Sequence, residues 1–114
     1  MKSISSKIDQ NRIELLKVIG HPVRIEILER LEGEPRYVND LSALLDVSQA
    51  NMSQHLGLLR RVGLVGCSME GQHRCYFLVD PMVPDLLKVI RKQYKNKLAA
   101  PGAGLDTRKK LNSK

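Results

Sequence analysis

Ser48, Gln49, Ala50, Ser53 and Gln54 recur at helical spacing in the middle of this 114-residue chain, and side chains of those types can do one kind of chemistry well. Glutamine amides and serine hydroxyls hydrogen-bond the edges of base pairs, and an alanine methyl can rest against a thymine methyl. On a helical wheel Met52, Leu56 and Leu59 lie within about 60° of one another and must face a core, which turns Ala50, Ser53, Gln54, Gly57 and Arg61 outward. Gly57 costs about 1 kcal/mol relative to alanine inside a helix, and it removes bulk where a DNA backbone could approach. Arg60, Arg61 and Arg74, with Glu70 as the one acid nearby, are candidates for phosphate contacts. His55 lies at the edge of the core-facing arc and reads as a packed or backbone-bonded histidine rather than a base reader.

Catalytic chemistry is not expected. The chain has no Gly-x-Gly-x-x-Gly, P-loop, His-Glu-x-x-His or Gly-x-Ser-x-Gly motif, and His21, His55 and His73 are scattered. Cys67 and Cys75 make at most one disulfide and cannot alone supply a four-ligand zinc site, so neither metal nor other cofactor is expected. Both cysteines fall on the arms of a hairpin. A three-residue loop would set them face to face, able to oxidise or capture a thiophilic ion as a sensor; a two-residue loop would point them to opposite faces. The sequence leaves that register open, and a small hydrophobe in the sheet is the default role of each.

Composition narrows the partner. The 19 Lys and Arg against 12 Asp and Glu give a formal net charge of +7. Residues 1–46 hold 7 basic and 8 acidic side chains, residues 47–97 hold 8 and 3, and residues 98–114 hold 4 and 1, so the excess lies in the second half. A one-sided basic surface suits a polyanion. With three Tyr, one Phe and no Trp, there is little from which to build stacking platforms for single strands, so duplex DNA is the expected partner. No apolar run approaches a membrane span, and the start lacks the apolar stretch of a secretion signal, so the chain reads as cytoplasmic. At 42% hydrophobic residues it can build a core unaided.

These residues need positioning, and the periodicity supplies the elements. Ile4, Ile8, Leu15, Leu16 and Ile19 predict an amphipathic helix over about 4–19, ended by Gly20. Pro22 opens a second helix, apolar almost all round through Val23, Ile25, Ile27, Leu28 and Leu31. Arg36 to Val38 is a possible short strand, and Asn39 or Asp40 opens a short third helix through Leu45. Asp46-Val47-Ser48 connects to a fourth helix, with Ser48 as its N-cap, Val47 able to pack on Met52 across the cap, and Gly63 at its end. Leu64 to Met69, a turn at Glu70-Gly71-Gln72, and His73 to Val79 read as a β-hairpin. After Asp80-Pro81, Val83, Leu86, Leu87, Ile90, Tyr94 and Leu98 share one face of a last helix. The fold class is thus mainly α with a small β-hairpin wing (α+β): a winged helix-turn-helix with helical dimerisation elements at both ends. Residues 1–97 form the DNA-binding and dimerisation domain, and residues 98–114 form a basic, disordered tail.

His21-Pro22-Val23-Arg24-Ile25-Glu26-Ile27-Leu28, Asp40-Leu41, Ser48 through Leu56 and Leu59-Arg60-Arg61-Val62-Gly63-Leu64-Val65 resemble the ArsR/SmtB family of bacterial and archaeal repressors over roughly residues 12–96. The resemblance implies a winged-helix homodimer, paired through the first and last helices, that blocks transcription at its operator until an effector releases it. It implies that Ser48, Gln49, Ala50, Ser53 and Gln54 meet the operator and that Gln72, His73 and Arg74 of the wing flank them. The sequence departs from the family's metal sensors. Tyr37 and Asn39 stand where arsenic sensors have cysteines, and of the zinc-type ligands at the last helix only Asp80 is kept, with Met82 where a histidine is needed. A lone Asp there reads as a helix cap. The effector remains unassigned.

Dimerisation has separate support, because the apolar stripes of the first and last helices exceed what a small trihelical core can cover; the other option is that they pack on each other within one chain. A two-fold dimer reads an inverted repeat with half-sites about 34 Å apart. The rival to operator binding is a winged-helix module docking protein or RNA. Such a docking face would present large apolar side chains where this one has Ala50, Ser53, Gln54 and Arg61.

Overall fold

A computed structural model of the chain describes the backbone of residues 2–99 and the side chains of residues 10–93. The tail expected from residue 98 begins later, since α5 runs through Ala99; residues 100–114, and the side chains of Ile4, Ile8, Tyr94 and Leu98, lie outside the described residues. The chain divides into two units, Met1–Val83 and Pro84–Lys114. Five helices and three strands follow in the order α1 (Lys2–Ile19), α2 (Pro22–Gly33), β1 (Arg36–Tyr37), α3 (Val38–Leu45), α4 (Gln49–Arg61), β2 (Val65–Glu70), β3 (His73–Leu78) and α5 (Met82–Ala99).

The ends of these elements follow from local chemistry. Pro22 takes the first position of α2, and the imidazole of His21 caps it, its Nδ1 accepting the Val23 N–H at 3.1 Å. Helix α3 begins at Val38, one or two residues before the expected Asn39 or Asp40, and its N-cap Tyr37 makes no side-chain cap bond. The reason is long-range: Tyr37 is fixed by pairing with Cys75 on β3, so the chain turns helical directly after it. Asp40 instead falls in the first turn, where a carboxylate suits the helix dipole. Asp46 ends α3 in the left-handed conformation, φ 55°, its N–H bonded to the Ser42 carbonyl. Aspartate is among the few non-glycine residues that take this conformation readily.

Ser48 caps α4 as expected, its hydroxyl oxygen accepting the Asn51 N–H at 3.1 Å. At the other end Gly63, at φ 84°, allows a Schellman closure, with its N–H on the Arg60 carbonyl and the Leu64 N–H on the Leu59 carbonyl, each at 3.0 Å. The core of the first unit gathers Ile27, Leu28 and Leu31 of α2, Leu41 of α3, Met52, Leu56 and Leu59 of α4, and Leu64, Val65 and Tyr76 around the sheet, with Val18 and Ile19 from α1. The central α2 is buried as its sequence predicts. On α1 the expected apolar face is split, for Ile19 is buried and Leu15 half-buried while Leu16 is 64% exposed.

The sheet has the order β1-β3-β2, all antiparallel. Its hairpin is tighter than the expected three-residue turn: Glu70 pairs with His73, leaving only Gly71 and Gln72 as the loop, with Gly71 at φ 66° in the first central position, where a type II′ turn places glycine. Gly66 lies opposite Phe77, and a Cβ there would come 2.7 Å from the Phe77 ring, so the ring fills the space glycine leaves.

Two substitutions on α4 separate its faces. Leu56 is fully buried, and Leu56→Ala should cost about 2–5 kcal/mol in urea unfolding followed by circular dichroism. Nothing lies within 4 Å of a Cβ built on Gly57, so Gly57→Ala should stabilise the protein by about 0.5–1 kcal/mol. A neutral or destabilising result would mean the outward space at 57 is filled in the free protein.

Candidate nucleic-acid interface

Because Met52, Leu56 and Leu59 all go to zero exposure, the rotation of α4 about its axis is fixed, and Ala50, Ser53, Gln54, Gly57 and Arg61 are all exposed. Ser48 and Gln49 at the helix start are exposed as well, and so are Arg60 at its end and Gln72, His73 and Arg74 on the wing. An open cleft of about 320 Å³ runs between the two groups, lined by Gln49 and Ser53 of α4, Gln72, His73 and Arg74 of the wing, and Tyr37, Val38 and Asn39 at the start of α3. The expected readers and the expected wing residues therefore share one polar concavity. Ala50, Gln54 and Arg60 lie outside its lining, on the exposed surface of α4.

Two members of the cleft carry no base-reading signal in the sequence. The Tyr37 hydroxyl donates to Glu70 Oε1 at 2.6 Å, and its ring lies 5.7 Å from that of His73. Accepting this bond, Glu70 pushes the phenol above its ordinary value, so Tyr37 stays a donor. The contact crosses the sheet from β1 to the hairpin tip and occupies the Glu70 carboxylate there. Asn39 accepts a 2.8 Å bond from Gln49 Nε2, tying the first residue of α4 back to α3. The distant chain positions these contacts join explain why the sequence did not reveal them.

Arg61 departs from the reading that Glu70 was the one acid nearby. Its Nη2 is 2.7 Å from Glu14 Oε2 on α1, an exposed ion pair that directs the guanidinium along α1. Such a pair contributes little to stability and leaves Arg61 able to exchange partners. His55 is half-buried as expected, but its partner is a side chain rather than backbone. Arg24 Nε donates to His55 Nδ1 at 3.2 Å, Arg24 Nη1 donates to the Val18 carbonyl at 3.1 Å, and the His21 and His55 rings lie 4.7 Å apart at 50°.

The hairpin register resolves the cysteines. Cys67 pairs with Tyr76 and Cys75 with Ser68, so the two thiols lie on opposite faces and both are free. The face-to-face arrangement that a three-residue loop would have given does not form. Cys75 is buried, and burial raises its thiol above the ordinary value, which disfavours the reactive thiolate. Asp80 acts as a cap, its Oδ1 accepting the Met82 N–H at 2.9 Å. Among the described residues, no three His, Cys, Asp or Glu side chains come together as metal ligands, and no helix is long and apolar enough to cross a membrane.

Comparison with known proteins agrees with this geometry. A helix-turn-helix domain model matches residues 19–66. The HTH-type transcriptional regulator Rv0081 of Mycobacterium tuberculosis is 39% identical over 82 residues, spanning 71% of this chain and 72% of that protein. Its crystal structure superimposes with a TM-score of 0.74 at 34% identity, covering 81% of this chain and 93% of that one. The HTH-type transcriptional repressor SmtB of the same organism is 39% identical over 67 residues, 59% of this chain and 50% of that protein. The homodimeric winged helix-turn-helix DNA-binding domain Mb0332 of Mycobacterium bovis, a possible ArsR-family regulator, shares the fold at 20% identity, with a TM-score of 0.75 over 82% of this chain and 87% of that one. A buried stripe that turns a small polar helix face beside a two-stranded wing, together with these similarities, shows that the chain belongs to the ArsR/SmtB family of winged helix-turn-helix transcriptional regulators.

Proposed function

We propose that this protein is a homodimeric repressor that binds an inverted-repeat operator in duplex DNA, reads it with α4 and is released by an effector. The observation that carries the reading is the outward face of α4, where Ala50, Ser53 and Gln54 are exposed beside a cleft that Gln72, His73 and Arg74 complete. A helix laid in the major groove presents Ser48, Gln49, Ala50, Ser53 and Gln54 to base edges, while Arg60, Arg74 and, on leaving Glu14, Arg61 meet phosphates. No large apolar side chain stands on that face, which favours a polar, charged partner over a protein surface.

Dimerisation is supported by apolar side chains left exposed on both terminal helices, Ile13 and Leu16 at 50% and 64% on α1, and Val89 and Ile90 at 56% and 46% on α5. The homodimeric state of the Mb0332 domain accords with it. A second copy covering these positions gives a two-fold dimer that carries two α4 helices, which suits an inverted repeat.

Fluorescence anisotropy with the chain's own upstream DNA and a random duplex of equal length, at fixed salt, tests the reading. Gln54→Ala should reduce the discrimination between the two by about 1–3 kcal/mol and leave random-duplex binding nearly intact. Equal loss on both duplexes would remove Gln54 from base reading, and no preference in the unsubstituted protein would favour an interaction module. Leu16→Glu should shift the sedimenting mass from dimer to monomer, because a charge at the centre of an apolar interface is left without a partner. An unchanged dimer mass would place the interface elsewhere.

A further inference from the structure

Arg24 ties α4 to two other helices at once. From α2 it reaches the carbonyl of Val18 near the end of α1 through Nη1 and the ring of His55 on α4 through Nε. His55 lies two residues from Ser53 and directly after Gln54, so whatever holds it sets the axial position of the exposed face. The tie depends on protonation. Nδ1 of His55 accepts the Arg24 bond, and an accepting ring nitrogen carries no proton. The neighbouring ring obeys the same condition, since His21 Nδ1 accepts the Val23 N–H as the cap of α2. Two imidazoles 4.7 Å apart thus each use their lone pair on the same helix junction, one to start α2 and one to anchor α4.

We infer that Arg24 and His55, with the His21 ring packed beside them, are positioning residues for the reading helix, and that the tie from Arg24 to His55 holds only while the His55 ring is uncharged, so that mild acid abolishes operator preference without abolishing DNA binding. The inference rests on the operator-binding reading above. A proton on Nδ1 of His55 turns the acceptor into a second donor facing a guanidinium, and the bond to α2 becomes a repulsion.

No carboxylate figures among the charges that act on His55. The charges acting on His55 are those of His21 and Arg24. Of the carboxylates on the elements packed against α4, Glu14 of α1 pairs with Arg61, Glu70 of β2 with Tyr37, Asp40 of α3 is exposed and acts on Tyr37, and on α2 Glu26 is exposed while Glu29 and Glu32 are half-buried. Burial first, then His21 and Arg24, lower the affinity of His55 for its proton below the ordinary value of 6.5. With the folded value depressed, the unfolded chain holds more protons between that value and about 6.5, so the stability this ring contributes is complete above about 6.5 and is lost as pH falls below it. Phosphate attraction runs the other way, since every added proton strengthens sequence-independent binding.

The test measures binding of the full chain to its upstream DNA and to a random duplex at pH 7.5 and 5.5, at one ionic strength. The unsubstituted protein should lose its preference between the two pH values, while random-duplex affinity holds or rises. The double variant His21→Asn, His55→Asn keeps an acceptor oxygen near each Nδ1 position without its titration, and should keep its preference at both pH values. His73 on the wing is the same in both proteins, so the comparison isolates the pair. His55→Asn alone, which leaves the α2 cap intact, serves if the double variant does not fold, and should retain more preference at pH 5.5 than the unsubstituted protein. Preference unchanged by acid, or lost equally in the variants, overturns the inference. Absence of any preference at pH 7.5 overturns the operator reading itself and the inference with it.

Discussion

Three side chains, Met52, Leu56 and Leu59, have no exposed surface, and the complete burial of that stripe is the constraint on which the rest of this structure depends. A helix whose apolar contacts are all on one side has no freedom to roll, and each of these residues would lose about 2 kcal/mol or more of burial on doing so. The polar residues between them are thereby aimed without any contact of their own. The site is a by-product of the core in this sense: α2, the strands and α1 supply a surface against which α4 can be seated in only one way.

The second half of the arrangement is the wing, and its geometry comes from a different kind of constraint. The two-residue turn at Gly71-Gln72 sets the register of every pair below it, so the side chains that line the cleft and those that pack under it are chosen together. The bond from Tyr37 to Glu70 and the ring contact with His73 join the hairpin tip to β1. The wing is therefore tied at its tip as well as its base, and the cleft has two anchored walls.

What the sequence revealed and what it did not follow a physical division. The helix period identified the buried and exposed faces of α4, the cap at Ser48, the stop at Gly63 and the central α2, because each depends on neighbours within a turn or two of helix. The hairpin was legible as a hairpin, but its loop length was not, since Glu70 can be read as a turn residue or a strand residue until its partner is known. The start of α3 was displaced by a pairing with β3 that no local propensity encodes. Longer-range still, Arg61 meets Glu14 across 47 positions and Arg24 meets His55 across 31. Charges and acceptors that far apart in sequence carry no mark of each other, so one of the three arginines read as having only Glu70 nearby is paired with Glu14, and the histidine read as packed or backbone-bonded is held by a side chain.

The connection between α3 and α4 is three residues, Asp46, Val47 and Ser48, with the first in a left-handed conformation and the last serving as a cap. With Asp46 left-handed and Ser48 capping, the link has no slack: its length fixes how closely α4 follows α3. One residue more or fewer would shift the start of α4 against α3, and the apolar stripe of α4 could stay buried only by moving the cap or distorting the link. The wing tip could absorb an added residue as a longer loop. This link cannot, and its length is as much a part of what the protein recognises as the side chains that follow it.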